Sequence, residues 1–459
     1  MLDVFLESGP ATPVSPIASN ALDAWLENAS PAHASWVKAQ GFKAKAGEAL
    51  ALPGADGAIE RVLFGIGDQS DPFVFGGLAS KLQPGDYALE PVPDDTSVAL
   101  LGFALGTYAF NRYKSNASDG GDAPKVRLVV PEGADCHDVS RIARGIFLGR
   151  DLINTPASDM GPAELEAAAD KLHHRFDARL AVTTGDDLIR DNYPMVHAVG
   201  RASDRAPRLI DLRWGRSDAP KITLVGKGVC FDTGGLNLKP GNFMALMKKD
   251  MGGAAAALGL GQMIMERGLD VHLRILVAAV ENSVAGNAFR PGDVLDSRKG
   301  LTVEIGNTDA EGRLVLGDAL AEADTETPEL LVDFATLTGA ARVALGPELP
   351  PFFTKDDALA ADLEAAANDA HDPLWRMPLW APYDSWLDSK IADVNHISDG
   401  PFAGCITAAL FLNRFVTETS SYAHFDIYGW NAKPRPGRPV GGDIQAVRAL
   451  YRLLCNRYG

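Results

Sequence analysis

The sequence predicts an α/β protein of two domains, a smaller N-terminal one and a larger C-terminal catalytic one. The C-terminal domain is expected to hold a mixed, mostly parallel sheet flanked by helices. Two observations carry this prediction. The chain has 459 residues, which is more than one hydrophobic core usually holds. Beyond about residue 160, strand-like segments alternate with helix-like ones, a pattern typical of parallel strands covered by helices on both faces.

Residues 1–138 are predicted to form the N-terminal α/β domain. Three short apolar runs separated by Gly and Pro have the composition of strands: residues 59–67, 97–106 and 126–133. The run VSRIARGIFLGRDLINTP then has apolar residues at helical spacing. We therefore expect a connecting helix over residues 139–160.

Residues 161–459 are predicted to form the catalytic domain. Apolar runs of strand length are RLIDLRWG, KITLVGKGV, HLRILVAAVEN, ELLVDFATLTG and HFDIYGW. Segments with helical spacing or composition are AELEAAADKLHHRF, residues 243–267, LVLGDALAEADTE and DIQAVRALYRLLCNRY. In such folds ligands bind in loops beyond the carboxyl ends of the strands, so those loops are where a site is expected.

Composition argues against several classes of protein. A net charge of −17 disfavours nucleic acid or an anionic membrane as a partner. The four cysteines are far apart and form no CxxC pair, which favours reduced thiols in a cytoplasmic protein. We expect no membrane span, because no apolar run reaches about 18 residues. We also expect no signal peptide, because the first residues, MLDVFLESGPATPVSP, lack a basic stretch and a long apolar one.

Charged side chains gather in glycine-rich segments that follow the predicted strands. The segment after KITLV is GKGVCFDTGGLNLKPG, the next helical segment contains MKKDMGGAAA, and GNTDAEGR follows LTVEI. The charged residues that we single out from them are four carboxylates and three basic side chains: Asp232, Asp250, Asp309, Glu311, Lys227, Lys239 and Arg313.

Four carboxylates in one site would repel one another unless cations neutralised them. Hard divalent ions prefer oxygen ligands, and two such ions would balance the four negative charges. Two adjacent metals can hold a water and polarise a carbonyl or phosphoryl oxygen. The alternative is that Asp309 and Glu311 are only first-turn acids that favour a helix dipole, and that the lysines lie on the surface. The sequence has neither the HExxH motif of zincins nor the GxSxG motif of serine hydrolases.

Taken together, these segments resemble the leucyl aminopeptidase (M17) family of two-metal exopeptidases. The resemblance covers roughly residues 140–440 and rests on four stretches: VGKGVCFDTGGLNLKP, KKDMGGAAA, NTDAEGRLVLGDAL and FATLTGA. It implies two divalent ions per subunit, Mn²⁺ or Zn²⁺, with Mg²⁺ and Co²⁺ also compatible with the ligands.

The resemblance also implies a role for each charged residue. The tighter metal site would use Lys227, Asp232, Asp250 and Glu311. The more exchangeable site would use Asp232, Asp309 and Glu311, so that Asp232 and Glu311 bridge the two ions. Lys239 would polarise the peptide carbonyl. Arg313 would hold a bicarbonate, which would act as general base toward the water between the metals.

The resemblance further implies an exopeptidase that takes peptides by their free amino group. The side-chain pocket would be lined by Met247, Asn307, Ala310, Thr336 and Gly339. These residues are small or apolar, which suits leucine-like side chains, and ordinary core packing is the alternative for each. A homohexamer in the cytoplasm is implied as well.

Two other classes of function remain open from the sequence. A DNA-binding or scaffolding role would need a dense basic cluster, and the net charge argues against one. A two-metal phosphoesterase would need several arginines near the metals to clamp phosphate, and Arg313 is the only obvious one in the sequence.

Overall fold

The computed structural model describes residues 1–115 and 125–459, and the described chain divides into two compact units. The first comprises Met1–Arg144 and Ala432–Val440, and the second comprises Gly145–Asn431 and Gly441–Gly459. Both are built from sheets and helices, so the predicted two-domain α/β class is confirmed. The domain limits at 138 and 161 stay predictions.

The first unit contains a six-stranded sheet. Its strands are β1 Phe5–Leu6, β2 Thr12–Ala18, β3 Ala49–Pro53, β4 Ile59–Gly67, β5 Gly85–Leu89 and β6 Val126–Val129. Their order is β1-β6-β5-β2-β4-β3, and all neighbours are parallel except β3 and β4. The helices begun in this unit are α1 Leu22–Asn28, α2 Pro31–Gln40, α3 Thr96–Gly106 and α4 Cys136–Asn154.

Two sequence-based assignments change in this part of the chain. Residues 97–106, expected as a strand, lie in α3. This helix is apolar on all sides and buried, so its sequence has no helical period to reveal it. The Asp95 side chain accepts a hydrogen bond from Val98 N and caps it. The predicted connecting helix is α4, which ends at Asn154, two residues before Pro156.

The second unit contains an eight-stranded sheet and two small ones. Its strands are β7 Arg179–Thr184, β8 Arg208–Trp214, β9 Lys221–Asp232, β10 His272–Asn282, β11 Val294–Asp296, β12 Thr302–Glu304, β13 Leu330–Ala335, β14 Pro351–Phe353, β15 Trp375–Arg376, β16 Val394–Asn395, β17 Tyr422–Asp426, β18 Trp430–Asn431 and β19 Gly441–Gly442. The large sheet has the order β15-β14-β17-β13-β9-β10-β8-β7. Its four central strands run parallel and antiparallel pairs lie toward both edges, so the mixed, mostly parallel sheet is confirmed.

Helices cover both faces of the central strands. They are α5 Pro162–Phe176, α6 Asp187–Arg190, α7 Pro194–Gly200, α8 Gly241–Met244, α9 Gly252–Arg267, α10 Glu311–Asp324, α11 Gly339–Leu345, α12 Asp357–Asp369, α13 Gly404–Asn413 and α14 Val447–Tyr458. Helix α9 packs with α5 and α14, and α10 packs with α7 and α13. Strands β9, β10 and β13 are nearly continuous apolar runs because both of their faces are covered. Within the described ranges, no helix is long and apolar enough to cross a membrane.

Candidate metal centre

A β-bulge places Lys227 and Asp232 on the same face of β9. Residues five apart on a regular strand point to opposite faces. Here the register against β10 shifts: Lys227 pairs with Ala278 and Asp232 with Asn282, so five residues of β9 oppose four of β10. The extra residue returns Asp232 to the side of Lys227.

Two short 3₁₀ turns bring in the remaining carboxylates. Asp250 lies in the turn Met247–Met251, which leads into α9. Asp309 lies in the turn Thr308–Ala310, and Glu311 is the first residue of α10. Both helices therefore begin at the site, and their N-terminal dipoles favour negative charge there.

The two lysines pair with all four carboxylates. Lys227 Nζ lies 2.8 Å from Asp250 Oδ2 and 2.9 Å from Glu311 Oε1. Lys239 Nζ lies 2.8 Å from Asp232 Oδ2 and 2.6 Å from Asp309 Oδ1. Lys227 is 3% exposed and the Lys239 side chain is also mostly buried, which argues against ordinary surface lysines.

These pairs do not neutralise the site. Burial and the charge of Asp232 raise the pKa of Glu311 well above its usual range, and burial and Asp250 raise that of Asp232. Burial opposes the charged form of both lysines, but the surrounding carboxylates still raise the pKa of each above the ordinary value. If all four carboxylates are ionised, the two ammonium groups offset only two of the four negative charges in a low-dielectric setting, which is costly.

The donor set fits divalent metal ions. Asp232, Asp309 and Glu311 each offer a carboxylate oxygen within 4.8 Å of the others. Glu311 is 1% exposed, and its Oε2 has no hydrogen-bond partner in the described parts of the chain. A buried carboxylate oxygen without a donor is rare in proteins unless an ion occupies it. Hard oxygen ligands of this kind suit Mn²⁺, Mg²⁺ or Zn²⁺.

Gly312 allows Lys227 to reach the site. A Cβ at this position would lie 2.6 Å from Lys227 Cε and 2.7 Å from its Nζ, well inside contact distance. The glycine of the NTDAEGR motif is therefore needed for the close approach of helix α10 to the lysine.

Arg313 is held beside the carboxylates by a residue that the sequence did not reveal. Its Nη1 donates to the backbone oxygen of His396 at 2.6 Å, while its Nε has no partner within residues 1–115 and 125–459. His396 is fully buried: its Nε2 donates to Asn307 O at 2.8 Å and its Nδ1 accepts from Gly306 N at 3.2 Å. Burial lowers the pKa of Arg313 to about 10, and burial together with Arg313 lowers that of His396 to about 3.

The sequence analysis did not identify Asn282 and Thr308 as residues of the site. Asn282 Nδ2 donates to Asp232 Oδ1 at 2.8 Å and to Thr308 O at 3.0 Å, so it connects the Asp232 carboxylate to the turn that carries Asp309. Thr308 Oγ1 donates to Gly234 O at 2.7 Å. Asn282 gave one usable signal, since it is a polar residue at the carboxyl end of a buried strand.

A cavity of about 560 Å³ opens onto the carboxylates. It is lined by eleven of the twelve residues proposed from the sequence: Lys227, Asp232, Lys239, Met247, Asp250, Asn307, Asp309, Ala310, Arg313, Thr336 and Gly339. Glu311 lies behind this wall. Thr336 Oγ1 donates to Asp250 Oδ1 at 2.7 Å, so this pocket residue also orients a carboxylate.

Comparison with known proteins matches both units of the chain to family models. Residues 147–451 match the catalytic domain of the cytosol aminopeptidase family, and residues 12–131 match the N-terminal domain of M17 aminopeptidases.

Similar proteins and solved structures agree with the matches to the family models. A probable cytosol aminopeptidase of Roseiflexus castenholzii is 41% identical, covering 80% of this chain and 77% of the relative. A probable cytosol aminopeptidase of Rhizobium etli is 39% identical, covering 95% of this chain and 93% of the relative. The crystal structure of cytosol aminopeptidase from Coxiella burnetii has a TM-score of 0.93 and 46% identity, covering 100% of both chains. The structure of the bottromycin maturation enzyme BotP in complex with Mn has a TM-score of 0.87 and 32% identity. The match covers 97% of this chain and 99% of that one. These matches show that the chain belongs to the M17 cytosol aminopeptidase family, whose members are metal-dependent exopeptidases that hydrolyse peptides from the N-terminus.

Proposed function

We propose that this enzyme uses two divalent ions to remove leucine-like, apolar N-terminal residues from peptides. The observation that carries the proposal is the buried carboxylate cluster. Glu311 has an oxygen without a donor in the described residues, and Asp232, Asp309 and Glu311 each offer a carboxylate oxygen within 4.8 Å of the others. Lys227, Asp232, Asp250 and Glu311 would hold one ion, and Asp232, Asp309 and Glu311 the other. The ions would be Mn²⁺ or Zn²⁺, with Mg²⁺ and Co²⁺ as alternatives.

Bound metals supply Lewis acidity and a nucleophilic water at neutral pH. Lys239 lies among the same carboxylates and faces the cavity, so its ammonium donates to the oxygen of the scissile carbonyl and stabilises the charge that develops there. The Nε of Arg313 has no hydrogen-bond partner in the described residues, and a guanidinium suits a planar oxyanion, so we place a bicarbonate there as the general base.

The substrate side chain enters between small and apolar residues: Met247, Asn307, Ala310, Thr336 and Gly339. A homohexamer in the cytoplasm completes the proposal. The hexamer rests on the family resemblance. The location is supported by the names of the relatives and by four cysteines that form no disulfide.

Hydrolysis of leucine p-nitroanilide by metal-stripped enzyme tests the reaction. Added Mn²⁺ or Zn²⁺ should restore cleavage, with two ions per chain by elemental analysis, and Asp309→Ala should remove it. Asp204→Ala, at an exposed carboxylate outside the cavity, is the matched control. A folded protein that binds two ions yet cleaves no aminoacyl p-nitroanilide would overturn the proposal.

Two further measurements address the finer points. In bicarbonate-free buffer, adding bicarbonate should raise the rate of the unchanged enzyme and leave that of Arg313→Ala unaffected. Light scattering should give six times the 48.7 kDa mass of one chain, and a monomer would refute the hexamer.

A further inference from the structure

One wall of the cavity carries a lysine that forms no ion pair with any carboxylate of the described residues. Lys249 lines the cavity and is only 6% exposed. Its Nζ makes no hydrogen bond or ion pair with any residue in the described ranges, although a buried ammonium is normally paired. It lies 4.7 Å from the centre of the Tyr428 ring, which stabilises the cation only in part.

A second cation flanks the same ring. Arg342, on α11, places its Cζ 5.1 Å from the centre of the Tyr428 ring and lines the same cavity. No carboxylate of the described chain forms an ion pair with Arg342. Tyr428 is fixed from behind, because its backbone N–H donates to Gln445 Oε1 at 2.8 Å and Gln445 Nε2 donates to Pro347 O at 2.9 Å. Lys249, Arg342 and Tyr428 therefore form a cationic wall of fixed geometry.

The acids nearest this wall are already engaged. Asp250 Oδ2 pairs with Lys227, and its Oδ1 accepts from Thr336. Asp426 accepts from the backbone of Leu337 and Thr338 through Oδ1. Its Oδ2 accepts from the Thr338 hydroxyl at 2.6 Å. Neither acid forms an ion pair with Lys249 or Arg342.

The cationic wall adjoins the proposed side-chain pocket. Gly429, next to Tyr428, packs so closely on Thr336 that an added Cβ would lie 2.9 Å from Thr336 Cγ2. Met247 lies two residues before Lys249 in the same 3₁₀ turn. Apolar pocket residues and uncompensated cations thus share one part of the cavity.

We propose that the cationic wall binds a carboxylate of the peptide substrate. The apolar residues accommodate an aliphatic stem, and Lys249 and Arg342 pair with the acid at its end. That acid comes either from a glutamate or aspartate side chain at the substrate N-terminus or from the free C-terminus of a dipeptide. This inference rests on the proposed function and extends its substrate class beyond apolar residues.

Matched substrates measure the contribution of the carboxylate. Glutamyl and glutaminyl p-nitroanilides have the same shape and differ in charge, and neither carries a C-terminal carboxylate. Leucyl-glycine and leucyl-glycinamide differ only at the C-terminus. A hydrogen-bonded ion pair in a partly buried site should favour the charged member of one pair by about tenfold in kcat/KM. Which pair responds identifies the source of the acid.

Substitutions of Lys249 and Arg342 test whether these side chains cause the preference for the charged substrate. In Lys249→Met and in Arg342→Met the preference should fall to about twofold or less, while cleavage of leucine p-nitroanilide continues and reports a folded, active enzyme. Lys248→Met is the control, since Lys248 donates to Asn154 O outside the cavity lining. Its preference should match that of the unchanged enzyme. Arg342 is partly exposed, so its variant tests the wall even if Lys249→Met does not fold.

The outcomes separate this inference from the proposed function. If leucine p-nitroanilide is cleaved but neither charged substrate is preferred, or if a preference survives both substitutions, the cationic wall does not bind a substrate carboxylate. If no aminoacyl substrate is cleaved with any metal, the proposed function itself fails.

Discussion

Replacing Gly312 by alanine should displace Lys227 and weaken the site. The new Cβ would lie 2.6 Å from Lys227 Cε, against about 3.5 Å for an ordinary carbon contact, so the lysine must move by roughly 1 Å. Its Nζ is held at 2.8 Å and 2.9 Å by two carboxylates and cannot move without loosening both pairs.

The expected cost is the balance of three effects. Overpacking costs about 1–3 kcal/mol. Loosening a buried ion pair costs up to about 3–5 kcal/mol when it is fully broken. Alanine in a helix regains up to about 1 kcal/mol over glycine. We therefore expect Gly312→Ala to lower the free energy of unfolding of the metal-free protein by about 2–4 kcal/mol. Metal affinity should fall by about 10–100-fold.

Urea unfolding of the metal-free protein and metal titration of leucine p-nitroanilide cleavage provide the assay. Gly286→Ala is the matched control, because no atom lies within 4 Å of its added Cβ. In a Lys227→Ala background the methyl group added by Gly312→Ala has space, so the cost of that substitution should disappear. An equal cost in both backgrounds, or none in the first, would refute the reasoning.

Three further changes should report on the residues around the metal centre. His396 has a pKa of about 3 in the folded protein and about 6.5 in the unfolded chain, so the unfolded chain binds more protons between these two values. The free energy of unfolding therefore falls as the pH drops below 6.5, by up to about 1.4 kcal/mol per pH unit. His396→Gln should flatten the dependence of unfolding free energy on pH between 6.5 and 5 by about one proton, and an unchanged slope would show that His396 does not titrate this way. Asn282→Ala removes a donor to Asp232, and we expect stability to fall by about 2–4 kcal/mol in urea unfolding; a change under 0.5 kcal/mol would contradict this. Thr336→Val keeps the shape but removes the donor to Asp250, so metal affinity should fall by about tenfold, with Thr336→Ser restoring it; equal affinity in all three proteins would exclude an orienting role.

Much of the fold could be read from the chain because local signals and tertiary packing agree there. The strand His272–Asn282 and the helix Glu311–Asp324 lie where the apolar patterns placed them. The strand predicted at residues 97–106 was wrong, because the helix Thr96–Gly106 is apolar on every side and its sequence has no helical alternation of polar and apolar residues. Nor does the sequence signal that residues 432–440 belong with the first unit, because that grouping joins segments far apart in the chain.

For the site, the sequence by itself determined the chemistry: four carboxylates, two lysines and an arginine in glycine-rich segments, in an order typical of one family. Only the tertiary structure decided how they meet. The bulge before Asp232 depends on pairing with β10, and the partners of Arg313 and Asp232, His396 and Asn282, come from distant parts of the chain. Lys249 is likewise one basic residue among several in the sequence, and only the fold buries it beside Tyr428 with no ion pair to any described residue. Residue types are local properties of the chain, whereas burial, register and the absence of a partner arise only when distant segments pack together.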